Sequence, residues 1–202
     1  METGDLETLL ARVRACRLCE ASLEQGPRPV LQLGKNAPLV IIGQAPGLKV
    51  HRSGIPWDDG SGQRLRAWLG MDAAEFYDPT KTAVLPMGFC YPGKGKSGDL
   101  PPRPECAPLW HPSLLPYLAP RRLTLLVGRY AQAAYLKEPG PNLTETVRHW
   151  RRYLPDCVPL PHPSPRNRFW LGKNPWFEAE VLPFLRRAVR ALLEGKKPPP
   201  AP

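Results

Sequence analysis

One segment, Pro38-Leu39-Val40-Ile41-Ile42-Gly43-Gln44-Ala45-Pro46-Gly47, sets the architecture of this chain. Four apolar residues, mostly β-branched, follow a proline and stop at a glycine, which predicts a short buried strand over residues 39–42. The glycine- and proline-rich residues 43–47 then predict a loop at the carboxyl end of that strand.

The same pattern recurs along the chain and alternates with helical segments. Residues 82–85, 123–127 and 158–160 are further apolar runs that predict strands. Residues 65–69 indicate a helix that ends at Gly70, and residues 128–130 begin a second helix that continues to Leu136. Strands that alternate with helices favour right-handed crossovers, and they place a ligand crevice at the carboxyl ends of the strands. The predicted fold class is α/β, a single-domain three-layer α/β/α sandwich with a mainly parallel central sheet of about four strands.

The two ends of the chain are predicted from their spacing and composition. Apolar residues at positions 6, 9, 10, 13 and 18 have helical spacing and predict an N-terminal helix that runs into Cys16 and Cys19. Residues 176–193 predict an amphipathic last helix, whereas residues 91–108 predict a loop rich in Pro, Gly and Lys. We expect a domain over residues 1–194 and a disordered Pro/Lys-rich tail over residues 195–202.

The composition bounds the partners of the chain. Its 202 residues contain 28 Lys and Arg against 18 Asp and Glu, a formal charge of +10, so nucleic acid is the first partner to expect. The alternative is a basic protein with a merely solvated surface. No apolar run reaches the roughly 18 residues of a membrane span, and the acidic N-terminus is unlike a secretory signal. We therefore expect a cytoplasmic protein with no membrane partner.

The cysteines suggest a metal or cluster site. Cys16 and Cys19 form a C-x2-C pair, and Cys90 and Cys106 flank a proline- and glycine-rich loop. In an intracellular chain, four such thiolates suit a [4Fe-4S] cluster or a tetrahedral zinc, and their spacing does not separate the two. Cys157 fits no pair and is predicted to be a small buried hydrophobic residue.

Three groups of residues resemble the uracil-DNA glycosylase superfamily. The loop with Gly43, Gln44, Ala45 and Pro46 is similar to the first motif, which forms one wall of the uracil pocket. The run His162-Pro163-Ser164-Pro165-Arg166-Asn167 resembles the second motif, close to its form in the single-strand-selective enzymes and in family five. The four cysteines match the cluster ligands of families four and five, and this resemblance favours [4Fe-4S] over zinc.

The resemblance implies roles for particular side chains. It implies that His162 donates a hydrogen bond to the base, and that Asp59, or else Asp58, positions the attacking water. It also implies that Trp57 stacks on a base flipped out of the duplex. The alternatives are that the aspartates cap a helix starting near Gln63 and that Trp57 is a core residue.

The second motif is expected to meet DNA. By resemblance, Ser164 binds phosphate through its hydroxyl and N–H, and Arg166 fills the space that the base vacates or holds the flanking phosphate, with Pro165 and Asn167 beside them. A second His-Pro-Ser run begins at His111, and the apolar residues after it predict a helix start instead of a site.

Two residues depart from the family pattern. Ala45 stands where many relatives have a water-positioning acid, although family-five enzymes also have an alanine there, and Pro86 stands where family four has an asparagine that reads the base. Backbone groups near Gln44 or Met87 would then have to select the base.

The predicted function is that of a monomeric, monofunctional DNA repair glycosylase. It would act on DNA containing a damaged base and hydrolyse the N-glycosidic bond of uracil or a related deaminated base. The alternative is a weak or inactive DNA-binding protein of the same fold.

Overall fold

Four parallel strands form the central sheet, in the spatial order β2 (Thr82–Val84), β1 (Leu39–Ile42), β5 (Leu123–Val127) and β6 (Cys157–Leu160). A computed structural model describes residues 5–200, so the first four residues of the predicted domain and the last two of the predicted tail lie outside the described residues. The strands are β1 (Leu39–Ile42), β2 (Thr82–Val84), β3 (Lys94–Gly95), β4 (Gly98–Asp99), β5 (Leu123–Val127) and β6 (Cys157–Leu160). β3 and β4 pair with each other as a separate antiparallel hairpin.

Helices connect the strands and cover the sheet. They are α1 (Leu6–Arg14), α2 (Leu48–Ser53), α3 (Gly60–Leu69), α4 (Ala73–Tyr77), α5 (Cys106–Leu114), α6 (Arg129–Tyr135), α7 (Leu143–Arg148), α8 (Arg168–Lys173) and α9 (Leu182–Leu193). A π-helical turn, Phe177–Val181, directly precedes α9. Within residues 5–200, no helix is long and apolar enough to span a membrane.

The alternation of side chains along β1 creates the three layers. Leu39 and Ile41 point into one hydrophobic cluster, which is closed by α3 and α9. Val40 and Ile42 point into a second cluster on the opposite face, which is closed by α1, α5 and α6. Because successive residues of a strand face opposite sides, a run of four buried apolar residues requires a cover on both faces. The predicted α/β/α sandwich with a four-stranded parallel sheet is confirmed.

Several predicted element boundaries change in the structure. Helix α1 ends at Arg14, and Leu18 is 65% exposed, so the predicted helical stripe does not continue to position 18. The helix predicted near Gln63 begins earlier, at Gly60, because Asp59 caps it. The loop predicted over residues 91–108 contains the β3-β4 hairpin. The last helix starts with the π turn, since Pro183 has no N–H to continue a regular helix.

The prediction that a helix starts at His111 is wrong. His111 and Pro112 lie inside α5, which begins at Cys106. His111 is 3% exposed, its Nε2 lies 3.1 Å from the Pro86 carbonyl oxygen, and its Nδ1 contacts the Tyr135 hydroxyl. Both ring nitrogens are thus used in the core, and burial lowers the pKa of His111 below its ordinary value.

Candidate active site

A cavity of about 350 Å³ opens where the loops after β1, β2 and β6 converge. These loops leave the carboxyl ends of three parallel strands, which is where ligands bind in open α/β sheets. Most of the first-motif and second-motif residues predicted from the sequence lie on its wall: Gly43, Gln44, Ala45, Pro46, His162, Ser164 and Arg166. The structure therefore brings together two segments about 120 residues apart in the chain.

The imidazole of His162 is held in one tautomer. The backbone N–H of Ser164 donates to its Nδ1 over 3.2 Å, so Nδ1 must lack a proton and the ring proton must be on Nε2. The Asn167 side-chain amide donates to the His162 carbonyl over 2.7 Å and fixes the backbone on which the ring is carried. Nε2–H is therefore left as a hydrogen-bond donor.

Burial keeps this imidazole neutral. It lowers the pKa of His162 below the ordinary value, and the nearby carboxylates of Asp59 and Asp99 only partly oppose that shift. A lowered pKa means that His162 stays uncharged at neutral pH. The cavity thus presents a neutral N–H donor with two negative charges close by.

Trp57 forms the wall next to His162. The ring centroids of the two residues are 5.6 Å apart, and the Trp57 ring also packs against the edge of the hydrophobic core beside α3. Its φ of 57° is one that non-glycine residues rarely adopt. A Cβ at Gly43 would lie 2.9 Å from the Trp57 ring, so that glycine makes room for the aromatic side chain. Trp57 therefore has both the pocket position and the core contact that were predicted as alternatives.

The two candidate acids differ in position. Asp59 lies on the cavity wall, where its Oδ1 accepts the Gly62 N–H over 2.8 Å and caps α3. Its second carboxylate oxygen has no hydrogen-bond partner among residues 5–200. Asp58 is exposed and lies outside the cavity lining. Of these two acids, only Asp59 is placed to contact a ligand in the cavity, and it also caps α3.

The second-motif loop is braced by backbone contacts. The Ser164 hydroxyl accepts the Arg166 N–H, and the Ser164 carbonyl accepts from Arg64 of α3. Since the Ser164 N–H already bonds His162, it is not free for the phosphate that was predicted to bind it. Pro165 and Arg166 are exposed, and Asn167 is used to hold His162.

The backbone around Met87 is also already bonded. Met87 N–H donates to the Gly43 carbonyl and Gly88 N–H to the Gln44 carbonyl, both over 2.9 Å. Met87 itself packs in the second hydrophobic cluster and does not line the cavity. Pro86 does line it, but its carbonyl faces His111. The N–H groups of Met87 and Gly88 are therefore already used and are not free to select a base.

Asp99 and Ser61 line the cavity but were not singled out from the sequence. Asp99 lies within the segment that was predicted to be an irregular loop, and its position is produced by the β3-β4 hairpin. The only local signal for the hairpin is the glycine pair Gly95 and Gly98, which is too weak to place a side chain in a site. Arg64, which donates to the Ser164 carbonyl, was also missed, because no local pattern in the sequence indicates that contact.

Four cysteines meet at a second, smaller cavity. Cys16 and Cys19 follow α1, Cys90 follows β2, and Cys106 begins α5. All four line one cavity whose other walls are mostly apolar, including Leu23, Phe89 and Trp110. Within residues 5–200, no group of three or more His, Cys, Asp and Glu side chains is arranged to hold a single metal ion.

The surroundings of the cysteines are dry. Burial raises the pKa of the Cys90 thiol to about 11 and that of Cys106 above its ordinary value. Arg103 also lines the cavity, and its guanidinium pairs with Glu105 over 2.6 Å. Cys157 lies apart at the start of β6, and it is only partly buried, not fully buried as predicted.

The comparison with known families adds one finding. The model of the uracil DNA glycosylase superfamily matches residues 31–186, which is more than half of the chain. The matched range contains the first-motif loop and the second-motif loop of the larger cavity. It also contains Cys90 and Cys106, and it begins after Cys16 and Cys19.

Proposed function

The chain belongs to the uracil DNA glycosylase superfamily, and from that premise we propose that it hydrolyses the N-glycosidic bond of uracil or a related deaminated base in DNA. The base is released and an abasic site remains in the strand. The observation that carries this proposal is the neutral His162, whose Nε2–H has no partner among residues 5–200 while Nδ1 and the backbone are held.

The cavity can supply each part of this reaction. The target nucleotide must first leave the base stack, since its glycosidic bond is out of reach inside a duplex. Trp57 then offers an aromatic face, and stacking contributes about 1–3 kcal/mol per base. As the bond from C1′ to the base nitrogen breaks, its electron pair goes to the base, and His162 donates a hydrogen bond to the oxygen on which negative charge develops.

Asp59 is placed to activate the nucleophile. A water oxygen bonds to C1′ as the base leaves, and its proton passes to the Asp59 carboxylate oxygen that does not cap α3. The first oxygen stays bonded to the Gly62 N–H, so the carboxylate keeps its orientation during the step. This arrangement supports a role for Asp59 that Ala45, with its methyl side chain, cannot take.

An incubation with labelled DNA tests the proposal. A single-stranded oligonucleotide with one uracil, and the same strand annealed to its complement, are treated with the protein and then with alkali. Cleavage at the uracil, and none in a matched thymine oligonucleotide, is the expected result. A gel shift of both oligonucleotides without cleavage would instead support the alternative of an inactive DNA-binding protein.

Arg166 is the basic residue placed at the mouth of the cavity. It is exposed and follows the His162 loop directly, and its Nη1 donates to the Ser97 carbonyl of the hairpin over 3.5 Å. Two residues further along the chain is Arg168, whose guanidinium carbon lies 5.1 Å from the centroid of the Phe169 ring. Phe169 itself is 72% exposed. An exposed aromatic side chain next to an arginine suits the surface of an unstacked base step.

We expect Arg166→Ala to weaken base release more on matched duplex than on single-stranded DNA, because only the duplex has a vacated space to fill. A roughly tenfold larger loss on duplex corresponds to a lost contact of about 1.4 kcal/mol. Single-turnover release is measured on both substrates, with Arg187→Ala on α9 as a variant of equal charge outside the cavity lining. Equal losses of base release on both substrates would indicate that Arg166 contacts only phosphate.

The four cysteines fit an iron-sulfur cluster, and we propose that they hold [4Fe-4S]. Four soft donors in a mostly apolar cavity suit such a cluster. Four thiolates also suit a tetrahedral zinc ion, which is the alternative that the metal content must separate from the cluster. When bound, the cluster supplies a structural tie between the end of α1, the loop before the β3-β4 hairpin, and α5.

The metal content tests this assignment. The purified protein is expected to be brown, with about four irons per chain, and Cys90→Ser should lose both colour and iron. Cys157→Ser is the matched control and should keep them, since Cys157 lies outside the cavity. A colourless protein with one zinc per chain would contradict the cluster. Loss of iron should also lower the thermal unfolding temperature, because three separate segments lose their tie.

A further inference from the structure

A glycosylase pocket needs a group that distinguishes the edge of its target base, and several polar groups of this cavity already have another task. His162 faces the oxygen that gains charge, and Asp59 is placed for water. The carbonyls of Gly43 and Gln44 accept bonds from Met87 and Gly88. The Pro86 carbonyl is directed to His111.

Asp99 is the acid on the cavity wall that has no other assigned task. It ends the β3-β4 hairpin, and its Oδ2 lies 3.6 Å from where a Cβ of Gly47 would stand, beside the first-motif loop. The carboxylate is also close enough to His162 to act on its pKa. Asp99 therefore lies within the same cavity as the imidazole, on a different loop.

A buried tyrosine orients this carboxylate. The Tyr91 hydroxyl donates to Asp99 Oδ1 over 3.4 Å, and the Tyr91 ring is 4% exposed and packs 6.1 Å from the His51 ring. Tyr91 directly follows Cys90, so the cysteine site supports the segment from which Asp99 is positioned.

We propose that Asp99 is the specificity-determining residue of the pocket and accepts a hydrogen bond from a ring N–H of the target base. This inference rests on the proposed function, because it needs a base in the cavity. An ionised carboxylate only accepts hydrogen bonds, unlike an amide, which both donates and accepts.

The chemistry of a carboxylate defines the class of base. Uracil carries N3–H between two carbonyl groups, and hypoxanthine carries N1–H beside one. Cytosine and adenine present an unprotonated ring nitrogen at that place, whose lone pair would face the negative charge. At this ring position Asp99 thus favours uracil over cytosine and hypoxanthine over adenine, since a polar group left unpaired in a site costs binding energy.

Replacing the ring N–H of the substrate tests this contact. Base release under single-turnover conditions is measured for wild type and Asp99→Ala on oligonucleotides containing uracil or N3-methyluracil. We expect Asp99→Ala to slow uracil release by about 10- to 100-fold and to change N3-methyluracil release little, because that base has no proton to donate. Where N3-methyluracil is not released, free uracil and free 3-methyluracil are compared as inhibitors of uracil release, with the same expected pattern.

The controls separate this inference from the proposed function. Asp156→Ala removes an exposed acid at the amino end of β6, outside the cavity lining, and should leave both rates unchanged. If wild type releases uracil but Asp99→Ala lowers the release rates of uracil and N3-methyluracil equally, or lowers neither rate, the inference is overturned and the proposed function stands. If wild type releases neither uracil nor hypoxanthine, the proposed function itself fails.

Discussion

Replacing His162 with alanine is expected to slow base release by about 10²- to 10³-fold, with little change in DNA affinity. The lost Nε2–H donor acts on charge that develops only as the glycosidic bond breaks, so the bound substrate does not depend on it. The measurement is single-turnover release of uracil beside the dissociation constant for the same oligonucleotide. His149→Ala, an exposed histidine on the surface, is the matched control. Equal losses in binding and release would contradict this role.

The pH dependence gives an independent check on the same residue. Burial lowers the pKa of His162 below 6.5, so the ring is neutral at pH 7 and gains a proton only as the pH falls through that lowered value. Protonation puts a hydrogen on Nδ1, where it opposes the Ser164 N–H and disrupts the bond that orients the ring. Base release should therefore be constant near pH 7 and fall on the acid side. A rise in activity toward low pH would contradict the neutral donor.

Replacing Gly62 with alanine is expected to damage both stability and activity. A Cβ at position 62 would lie 1.7 Å from the carbonyl oxygen of Trp57, which no side-chain rotation can relieve. The backbone must shift, and overpacking of this kind costs about 1–3 kcal/mol of unfolding free energy. Trp57 would move with it, and a misplaced stacking group slows the reaction by about 10²-fold.

Gly60 offers the matched control for this substitution. It begins the same helix, and a Cβ there would approach Pro165 no closer than 3.9 Å. Gly60→Ala should keep the unfolding free energy and the rate of uracil release within a small factor of wild type. Thermal unfolding and uracil release are measured for both variants. If Gly62→Ala were as stable and active as Gly60→Ala, the close approach of Trp57 to α3 would not constrain the pocket.

Much of the architecture was predictable from local pattern. The apolar run at residues 39–42 must be buried on both faces, so it predicted a central strand with layers on either side, and the structure has two hydrophobic clusters there. Glycine endings also carried information, because the left-handed conformation at Gly70 ends α3 where the sequence suggested. The exit loops of parallel strands share one edge, which is why the cavity was expected at residues 43–47 and 162–167.

Local sequence pattern did not show how the ring nitrogens are used in the two His-Pro-Ser runs. His111 and His162 share a tripeptide, yet one has both ring nitrogens used inside the core and the other has a free donor in a cavity. Flanking apolar residues correctly set His111 apart, but they did not show that it lies inside a helix that begins five residues earlier.

The sequence by itself determined the strands, their alternation with helices, and the two loops that carry His162 and Gly43, because these depend on periodicity and on backbone preferences of neighbouring residues. Only the tertiary structure decided that Asp99 faces the cavity, that Asp58 does not, and that the Met87 N–H is already bonded. Each of these depends on contacts between segments far apart in the chain, and a cavity wall exists only after such segments pack. The conformational preferences of neighbouring residues contain no information about these long-range contacts.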